Sequence, residues 1–232
     1  MKIKTNPQTA QLAALAKQIV NCRRCPRLVE FRREVAEKKV KRFNDWRYWG
    51  KPVPGFGDPN AEVLIIGLAP AAHGANRTGR MFTGDSSGDW LYRALYETGF
   101  ANQPASFSRD DGLVLKKVFV TAVCRCAPPG NKPLPSEMEN CSDYLEKEIE
   151  LLPNVKVVLC LGQIAFSRYC RLHSLKRLEF SHGKKFRLRD GKILLSSYHP
   201  SRQNTNTGRL KWNDWLKVFR EVRLIAGVRR AS

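Results

Sequence analysis

Residues 62–68 read EVLIIGL, an apolar run with a single charged residue at its start. Three comparable runs follow along the chain: residues 118–123 (VFVTAV), 155–161 (VKVVLCL) and 193–198 (ILLSSY). Short runs of this kind, without polar alternation, are typical of strands that are buried on both faces of a parallel sheet. The sequence therefore predicts a four-stranded, mainly parallel central sheet.

Stretches with helical periodicity lie between and after these runs, at residues 87–98, 136–152, 163–172 and 213–225. Ser136 and Glu139 have the spacing of a capping box at a helix start. Because parallel neighbours need crossover connections, the alternation predicts a three-layer α/β/α domain. Two further helical patterns, at residues 8–20 and 26–41, precede the first strand. We interpret residues 1–232 as a single domain with a helical and basic segment at 1–58.

The composition predicts a polyanionic partner. The 232 residues include 41 Lys and Arg against 21 Asp and Glu, a formal net charge of +20, while the hydrophobic content of 42% is ordinary for a globular protein. No run approaches the roughly 18 to 20 apolar residues of a membrane span. The first residues, MKIKTNP, carry no secretion signal. We therefore expect a cytoplasmic protein without membrane association, and a monomer.

Residues 23–51 carry eleven Lys and Arg against four acidic residues. A solvated helix face would explain this excess. Four interleaved aromatic residues make a nucleic-acid contact an alternative, and they could equally staple the segment to the sheet: Phe43, Trp46, Tyr48 and Trp49.

The unusual polar residues all follow predicted strands. Ligands bind at the carboxyl ends of the strands in open α/β sheets, and this is where the sequence places the glycine-rich loop 67–88, the segment 124–133 and His199. An ordinary surface loop is the alternative for residues 67–88. The loop lacks a Walker lysine and the dinucleotide spacing, which weakens a nucleotide-binding interpretation. Basic residues surround His199 in sequence, as suits a site beside a phosphate backbone: Arg202, Arg209 and Lys211.

The seven cysteines fall into groups. One C-x-x-C pair and two distant thiols suit a four-thiolate iron–sulfur cluster better than a zinc ribbon, although spacing alone leaves zinc open: Cys22, Cys25, Cys126 and Cys141. Cys160 and Cys170 lie in predicted apolar elements and are expected to be buried hydrophobes. Cys124 fits either description.

Three blocks in combination resemble the uracil-DNA glycosylase superfamily, and within it the family 5 (type B) enzymes of bacteria and archaea. These blocks are GLAPAAHGANRTGRMFTGDSSG (67–88), CAPPGNKP (126–133) followed by Cys141, and HPSRQN (199–204). The resemblance covers Cys22 to about Asn206. It implies an α/β/α fold, a structural 4Fe-4S cluster on the four thiols named above, and a monofunctional glycosylase of base excision repair that uses no nucleotide cofactor.

The resemblance also implies roles for single residues. Ala69 and Leu68 stand where relatives in families 1 and 4 carry acidic residues, and Asp85 is the expected substitute that orients the attacking water. His199 would bind the uracil carbonyl and stabilise the leaving base. Phe82 would stack on the flipped base, and the other residues of the base site would be Gly67, Leu68, Ala69 and Asn131. The implied DNA contacts are His73, Asn76, Arg77, Ser201, Arg202 and Asn204.

The expected substrate is DNA that contains uracil, with the nucleotide flipped into the pocket. Ala122 stands where family 4 relatives carry a uracil-reading Asn, so other deaminated bases such as hypoxanthine are also expected. The loop from His199 to Gly208 would enter the minor groove.

Two other interpretations stay open at this point. The missing carboxylate at Ala69 would suit a non-catalytic iron–sulfur protein that binds DNA, although such a protein would need neither Asp85 nor His199. The loop 67–88 would alternatively serve a phosphate-handling nucleotide enzyme.

Overall fold

The computed structural model describes residues 7–227 and contains a six-stranded sheet in the order β1-β3-β2-β4-β6-β5. The four central strands are parallel, and the two edge strands are antiparallel to their neighbours. The strands are β1 (Phe56–Gly57), β2 (Val63–Gly67), β3 (Val118–Ala122), β4 (Val157–Leu161), β5 (Lys185–Arg187) and β6 (Ile193–Ser197).

Helices cover both faces of the sheet. They are α1 (Pro7–Val20), α2 (Pro26–Lys38), α3 (Ala75–Thr78), α4 (Ser86–Glu97), α5 (Pro135–Asn140), α6 (Ser142–Glu150), α7 (Gln163–Leu172), α8 (Arg202–Asn206) and α9 (Trp212–Ala226). Short 3-10 turns occupy Lys41–Phe43 and Pro129–Asn131. None of the helices within residues 7–227 combines the length and apolarity that a bilayer crossing requires.

The two cores follow from the alternation of side chains along each buried strand. In β2, Val63 and Ile65 pack into a core with α4 and α9, whereas Leu64 and Ile66 pack into a second core with α6 and α7. All five residues of β2 are buried. A strand with both faces covered has no place for polar residues, which explains the apolar run.

The predicted three-layer α/β/α fold with a mainly parallel sheet is confirmed. Four predicted strands form its parallel centre, and β1 and β5 extend it at the edges. Two details of the helices differ from the prediction. The helix expected over residues 136–152 divides at Cys141 into α5 and α6, and the helix expected to reach Lys41 ends at Lys38.

The predicted capping box of Ser136 and Glu139 is wrong. Helix α5 begins at Pro135, and the Glu137 carboxylate accepts the backbone N–H of Leu134 at 2.7 Å. Glu139 instead pairs with Arg168 at 2.8 Å. The N-cap is thus Leu134, two residues before Ser136, and Pro135 is compatible with the first helical position because a backbone N–H has no helical partner there.

Candidate active site

The glycine-rich loop begins where β2 ends, beside β3. The carbonyl of Gly67 accepts the N–H of Val123 at 3.0 Å, and the carbonyl of Leu68 accepts the N–H of Cys124 at 2.9 Å. These bonds continue the parallel pairing beyond the ends of both strands. Ala69 is half-buried and packs against the core that contains α6 and α7. Residues 67–69 therefore form a rigid floor at the carboxyl end of the sheet.

Asp85 is the N-cap of helix α4. Its Oδ1 accepts the backbone N–H groups of Ser87 and Gly88, both at 3.0 Å. The other oxygen, Oδ2, faces the α-carbon of Gly74, and a β-carbon at that position would overlap it. One oxygen thus anchors the carboxylate to the helix, and the other is directed across the loop.

The pKa of the Asp85 carboxyl is higher than that of an aspartate in water. Burial raises the pKa of this carboxyl, while the two backbone hydrogen bonds and the positive charges of Arg202 and Arg77 oppose the rise. A carboxyl with a raised pKa is a stronger base than a solvated one. Such perturbed groups in a loop at the end of a sheet are candidates for catalytic roles.

His199 lies directly after β6, and its ring stacks on Phe82. The ring centroids are 5.7 Å apart with an interplanar angle of 29°. Phe82 has a φ of 53°, a left-handed conformation that is uncommon for a large side chain, and its ring tip lies against the α-carbon of Gly67. Only a residue without a β-carbon leaves room for the ring at position 67. Strain of this kind is concentrated at functional sites.

The imidazole of His199 is neutral at physiological pH. Burial lowers its pKa to about 4. Since a neutral imidazole still carries one N–H, His199 can donate a hydrogen bond without holding a positive charge.

The segment after β6 joins the glycine-rich loop through Arg202. The Nε of Arg202 donates to the Ser86 hydroxyl at 3.3 Å, at the start of α4. Ser201 is the N-cap of α8, and the side-chain amide of Asn204 donates to the carbonyl of His199 at 2.8 Å. The structure therefore gives Ser201 and Asn204 local roles that hold His199 in place, whereas Arg202 is exposed.

Two of the predicted DNA contacts are buried. Asn76 is completely inaccessible, and its amide donates to the carbonyl of Arg32 at 3.2 Å. Arg77 is 4% exposed and donates to the carbonyls of His73 (2.8 Å) and Gly84 (3.0 Å). Both side chains point into the protein in this conformation and hold the loop rather than present a surface.

The aromatic residues of the basic segment staple it to the glycine-rich loop. The guanidinium of Arg77 lies 3.8 Å from the ring centroid of Phe43 and 4.1 Å from that of Trp46. The Tyr48 hydroxyl is 3.1 Å from Nδ1 of the half-buried His73. Sequence reasoning offered a staple as one alternative, but nothing in the sequence identified Arg77 and His73 as its partners.

Asn131 stands apart from these groups. It is exposed, with a φ of 57°, in the turn that follows β3. Its role in reading the base stays a prediction.

A comparison with protein families agrees with this arrangement of loops. The model described as "Uracil DNA glycosylase superfamily" matches residues 54–223. The chain belongs to the uracil-DNA glycosylase superfamily. Within the superfamily, the chain is 48% identical over 217 residues to a type-5 uracil-DNA glycosylase of Thermus thermophilus. These aligned residues cover 93% of this chain and 98% of that relative.

Two further relatives show where the chain lies within the superfamily. A type-5 uracil-DNA glycosylase of Pyrobaculum aerophilum is 45% identical over 210 residues, or 90% of this chain and 91% of the relative. A type-4 uracil-DNA glycosylase of Archaeoglobus fulgidus is 33% identical over 156 residues, or 64% and 70%. The predicted resemblance to the family 5 enzymes is confirmed.

The four predicted cluster thiols come from three separate segments that meet beside α2. Burial raises the pKa of Cys126, Arg32 opposes the rise, and the electrostatic influence of Cys141, Cys22 and Cys25 adds to it. The side-chain amide of Asn140 donates to Sγ of Cys25 at 3.4 Å. Within residues 7–227, no three His, Cys, Asp or Glu side chains are arranged to hold a single metal ion.

Arg32 supplies a positive charge beside these thiols. It is 4% exposed, its guanidinium donates to the carbonyl of Gly50, and its charge opposes the rise in the pKa of the Cys126 thiol that burial causes. Its buried Nε has no hydrogen-bond partner in the part of the chain that the structure describes. No pattern in the sequence distinguishes Arg32 from its basic neighbours. Cys160 and Cys170 are buried in the core that contains α6 and α7, and Cys124 lies in the same core, beside Cys141.

A cleft of about 680 Å³ lies at the opposite, amino-terminal end of the strands. It is lined by Asp58, Glu62, Lys116, Lys117 and Lys156, among others. Lys117 and Lys156 both pair with Glu62. The cleft contains none of the predicted site residues.

Proposed function

We propose that the chain is a uracil-DNA glycosylase that hydrolyses the N-glycosidic bond of uracil in DNA and leaves an abasic site. The names of the type-5 relatives described above support this activity. The observation that carries the proposal is the placement of Asp85 and His199. A half-buried carboxylate at a helix N-terminus and a half-buried, neutral histidine stacked on an aromatic ring both lie at the carboxyl end of the sheet.

The reaction needs two forms of stabilisation. The bond between C1′ and the base nitrogen breaks with its electron pair on the base, the sugar acquires oxocarbenium character, and water adds its oxygen to C1′. Negative charge therefore develops on the base while positive charge develops on the sugar. A fixed donor at the base oxygen and a fixed carboxylate near the sugar act where these charges arise.

Asp85 has the properties for the second of these roles. Since Oδ1 accepts two backbone hydrogen bonds, Oδ2 is the oxygen that would orient the attacking water and receive its proton. His199 would donate its N–H to the base carbonyl. Because the pKa of His199 is about 4, its ring is neutral before the bond breaks. It would therefore act as a neutral hydrogen-bond donor and not as an imidazolium.

Access to the base requires extrusion of the nucleotide, which costs a few kcal/mol in a duplex. We propose that Phe82 stacks on the extruded base and that the exposed Arg202 contacts the DNA backbone. Residues 67–69 would form the floor of the base site. Ala122 lacks the side chain that would enforce strict uracil selectivity, so hypoxanthine is proposed as a second substrate.

The donor set suits a 4Fe-4S cluster better than a single ion. Four thiols are the usual ligand set of such a cluster, and three of these thiols lie near enough to Cys126 to raise its pKa. The buried Arg32 beside Cys126 would offset the negative charge of thiolates. We propose that Cys22, Cys25, Cys126 and Cys141 hold the cluster, which would join α1 and α2 to the segment after β3.

The cluster proposal is tested on anaerobically purified protein. We expect about four iron and four sulfide per chain and a visible absorption band, and we expect Cys126→Ser to lose both. Cys170→Ser is the matched control, since it removes a buried thiol outside the group. Stoichiometric zinc without iron would contradict the proposal.

The activity is tested with labelled duplexes that carry one uracil or one hypoxanthine, developed with alkali. Abasic sites from the native chain that are lost in Asp85→Ala and His199→Ala would support the assigned roles. If cluster-loaded protein binds the duplex but forms no abasic site, the chain is a DNA-binding protein and not a glycosylase.

A further inference from the structure

The 3-10 turn and the residues after it, Lys41–Arg47, lie against the outer side of the glycine-rich loop. Arg77 packs between Phe43 and Trp46 and donates to the carbonyl of Gly84, the residue before Asp85. Burial and the charge of Asp85 raise the pKa of the exposed Asp89, in the first turn of α4. The positive charge of Arg42 partly opposes this rise, so Arg42 lies within electrostatic range of α4. This segment therefore forms part of the rim of the candidate active site.

Within residues 7–227, the basic side chains of this rim segment are not paired with carboxylates, although the guanidinium of Arg42 lies 5.1 Å from the ring centroid of Phe43. Lys41, Arg42 and Arg47 are exposed, and none of them forms an ion pair within 4.0 Å among residues 7–227. Asp45 is the one acidic residue of the segment and is also exposed. At the other end of the sheet, by contrast, Lys117 and Lys156 both pair with the carboxylate of Glu62.

The segment is held in one conformation. The N–H of Phe43 donates to the carbonyl of Val40 at 2.8 Å, and the N–H of Trp46 donates to the carbonyl of Phe43 at 3.1 Å. The ammonium of Lys39 donates to the carbonyl of Asn44 at 2.8 Å. Since Lys41, Arg42 and Arg47 are exposed and pair with no carboxylate in the described part of the chain, their charges can meet an external anion. A rigid surface loses little entropy on binding.

We propose that Lys41, Arg42 and Arg47 form a DNA-backbone contact on the rim of the active site, at phosphates beside the extruded nucleotide. The position of this contact relative to the extruded nucleotide rests on the proposed function. The binding of the duplex by these cations does not. The partly exposed ring of Trp46 (37%) adds an apolar contact at the same place.

The test compares two triple variants with equal charge loss. Lys41→Gln/Arg42→Gln/Arg47→Gln removes the rim cations. Lys116→Gln/Arg187→Gln/Arg189→Gln removes three exposed cations near the amino-terminal ends of β3 and β6. Binding of duplexes with and without one uracil is measured between about 50 and 200 mM salt. Single-turnover cleavage is measured at saturating protein.

We expect the rim variant to lower the slope of log affinity against log salt concentration by between about 1 and about 3, since each lost phosphate contact contributes about 0.9. The control should change it by less than about 0.5, and the saturated cleavage rate should be unchanged in both. An equal loss in the two variants, or no loss in the rim variant, would overturn the proposal. If the native chain binds DNA but forms no abasic sites, the proposed function fails, and the slopes still decide the rim contact.

Discussion

The ring of His199 lies 5.7 Å from the ring of Phe82, at an angle of 29°, and this stack joins the segment after β6 to the loop after β2. The two rings come from positions more than a hundred residues apart in the sequence. Their contact places the donor on His199 beside the side chain that we propose to stack on the base.

Two substitutions at His199 separate these roles. His199→Phe keeps a ring in the stack and removes the N–H donor, so we expect the single-turnover rate to fall by about 10² to 10³ while thermal stability changes little. His199→Ala removes both donor and ring and should also lower the melting temperature. Near-native rates for His199→Phe would contradict the role of the donor.

Two substitutions at Asp85 separate catalysis from helix capping. Asp85→Asn retains a good N-cap, so we expect native-like stability with a cleavage rate lowered by about 10² to 10⁴. Asp85→Ala should lose as much rate and about 1 kcal/mol of stability as well. Stopped-assay kinetics at saturating protein and thermal unfolding provide the two measurements. A fast Asp85→Asn variant would show that the carboxylate is not the base.

The pH dependence should report Asp85 and not His199. The base must be ionised, so the rate should fall as pH decreases through a pKa that burial raises above the ordinary carboxyl range. His199 is already neutral above its pKa of about 4 and should add no limb near pH 6.5. Single-turnover rates from about pH 4.5 to about pH 8 test this.

The charges around Asp85 provide the control for that profile. Arg77 and Arg202 lower its pKa, and the acidic neighbour Asp89 is the like charge that faces it. Arg202→Gln should therefore move the limb to higher pH, and Asp89→Asn should move it to lower pH. A limb that stays fixed in both variants belongs to another group.

The close approach of Gly74 to Asp85 makes a double-mutant cycle informative. A β-carbon at position 74 would overlap Oδ2 of Asp85. Gly74→Ala should lower the cleavage rate at least tenfold in the native background by displacing the carboxylate, since misplacement by about 1 Å can cost 10²-fold. In the Asp85→Ala background it should have no further effect. Additive losses would show that Gly74 acts independently of Asp85.

Arg77 should matter through the loop rather than through DNA. Arg77→Gln removes a charged donor from the carbonyl of Gly84 and a cation from between two rings, so we expect a loss of about 2 kcal/mol in stability. The cleavage rate should fall, while the salt dependence of DNA binding stays native. A reduced salt slope in this variant would instead support direct contact with phosphates.

The sequence predicted the elements whose environment is uniform. The runs that became β2, β3, β4 and β6 are apolar because both faces of each strand are covered. The edge strands could not be predicted in this way. β1 has two residues and β5 has three, with Lys185 and Arg187 exposed on either side of Phe186, so neither leaves an apolar run.

The sequence motifs predicted which loops form the candidate site. They did not predict the side-chain contacts that depend on tertiary packing. The loops with Asp85 and His199 follow from their places after predicted strands. The burial of Asn76 and Arg77 does not, because a basic residue in a polar loop is most often exposed. The contact of Tyr48 with His73 joins segments whose proximity no local pattern encodes.

The packing of Phe43 and Trp46 on Arg77 predicts what happens when the chain is truncated at the start of the family match. That match begins at residue 54, yet Phe43 and Trp46, which enclose the guanidinium, precede this point. A chain that began at residue 54 would lack both rings, so the guanidinium of Arg77 would become exposed to solvent. The loop that carries Asp85 would then lose part of its packing. Residues 54–223 are therefore the part of the chain that the family model matches, and not a unit that can be excised with the loop of Asp85 held in place.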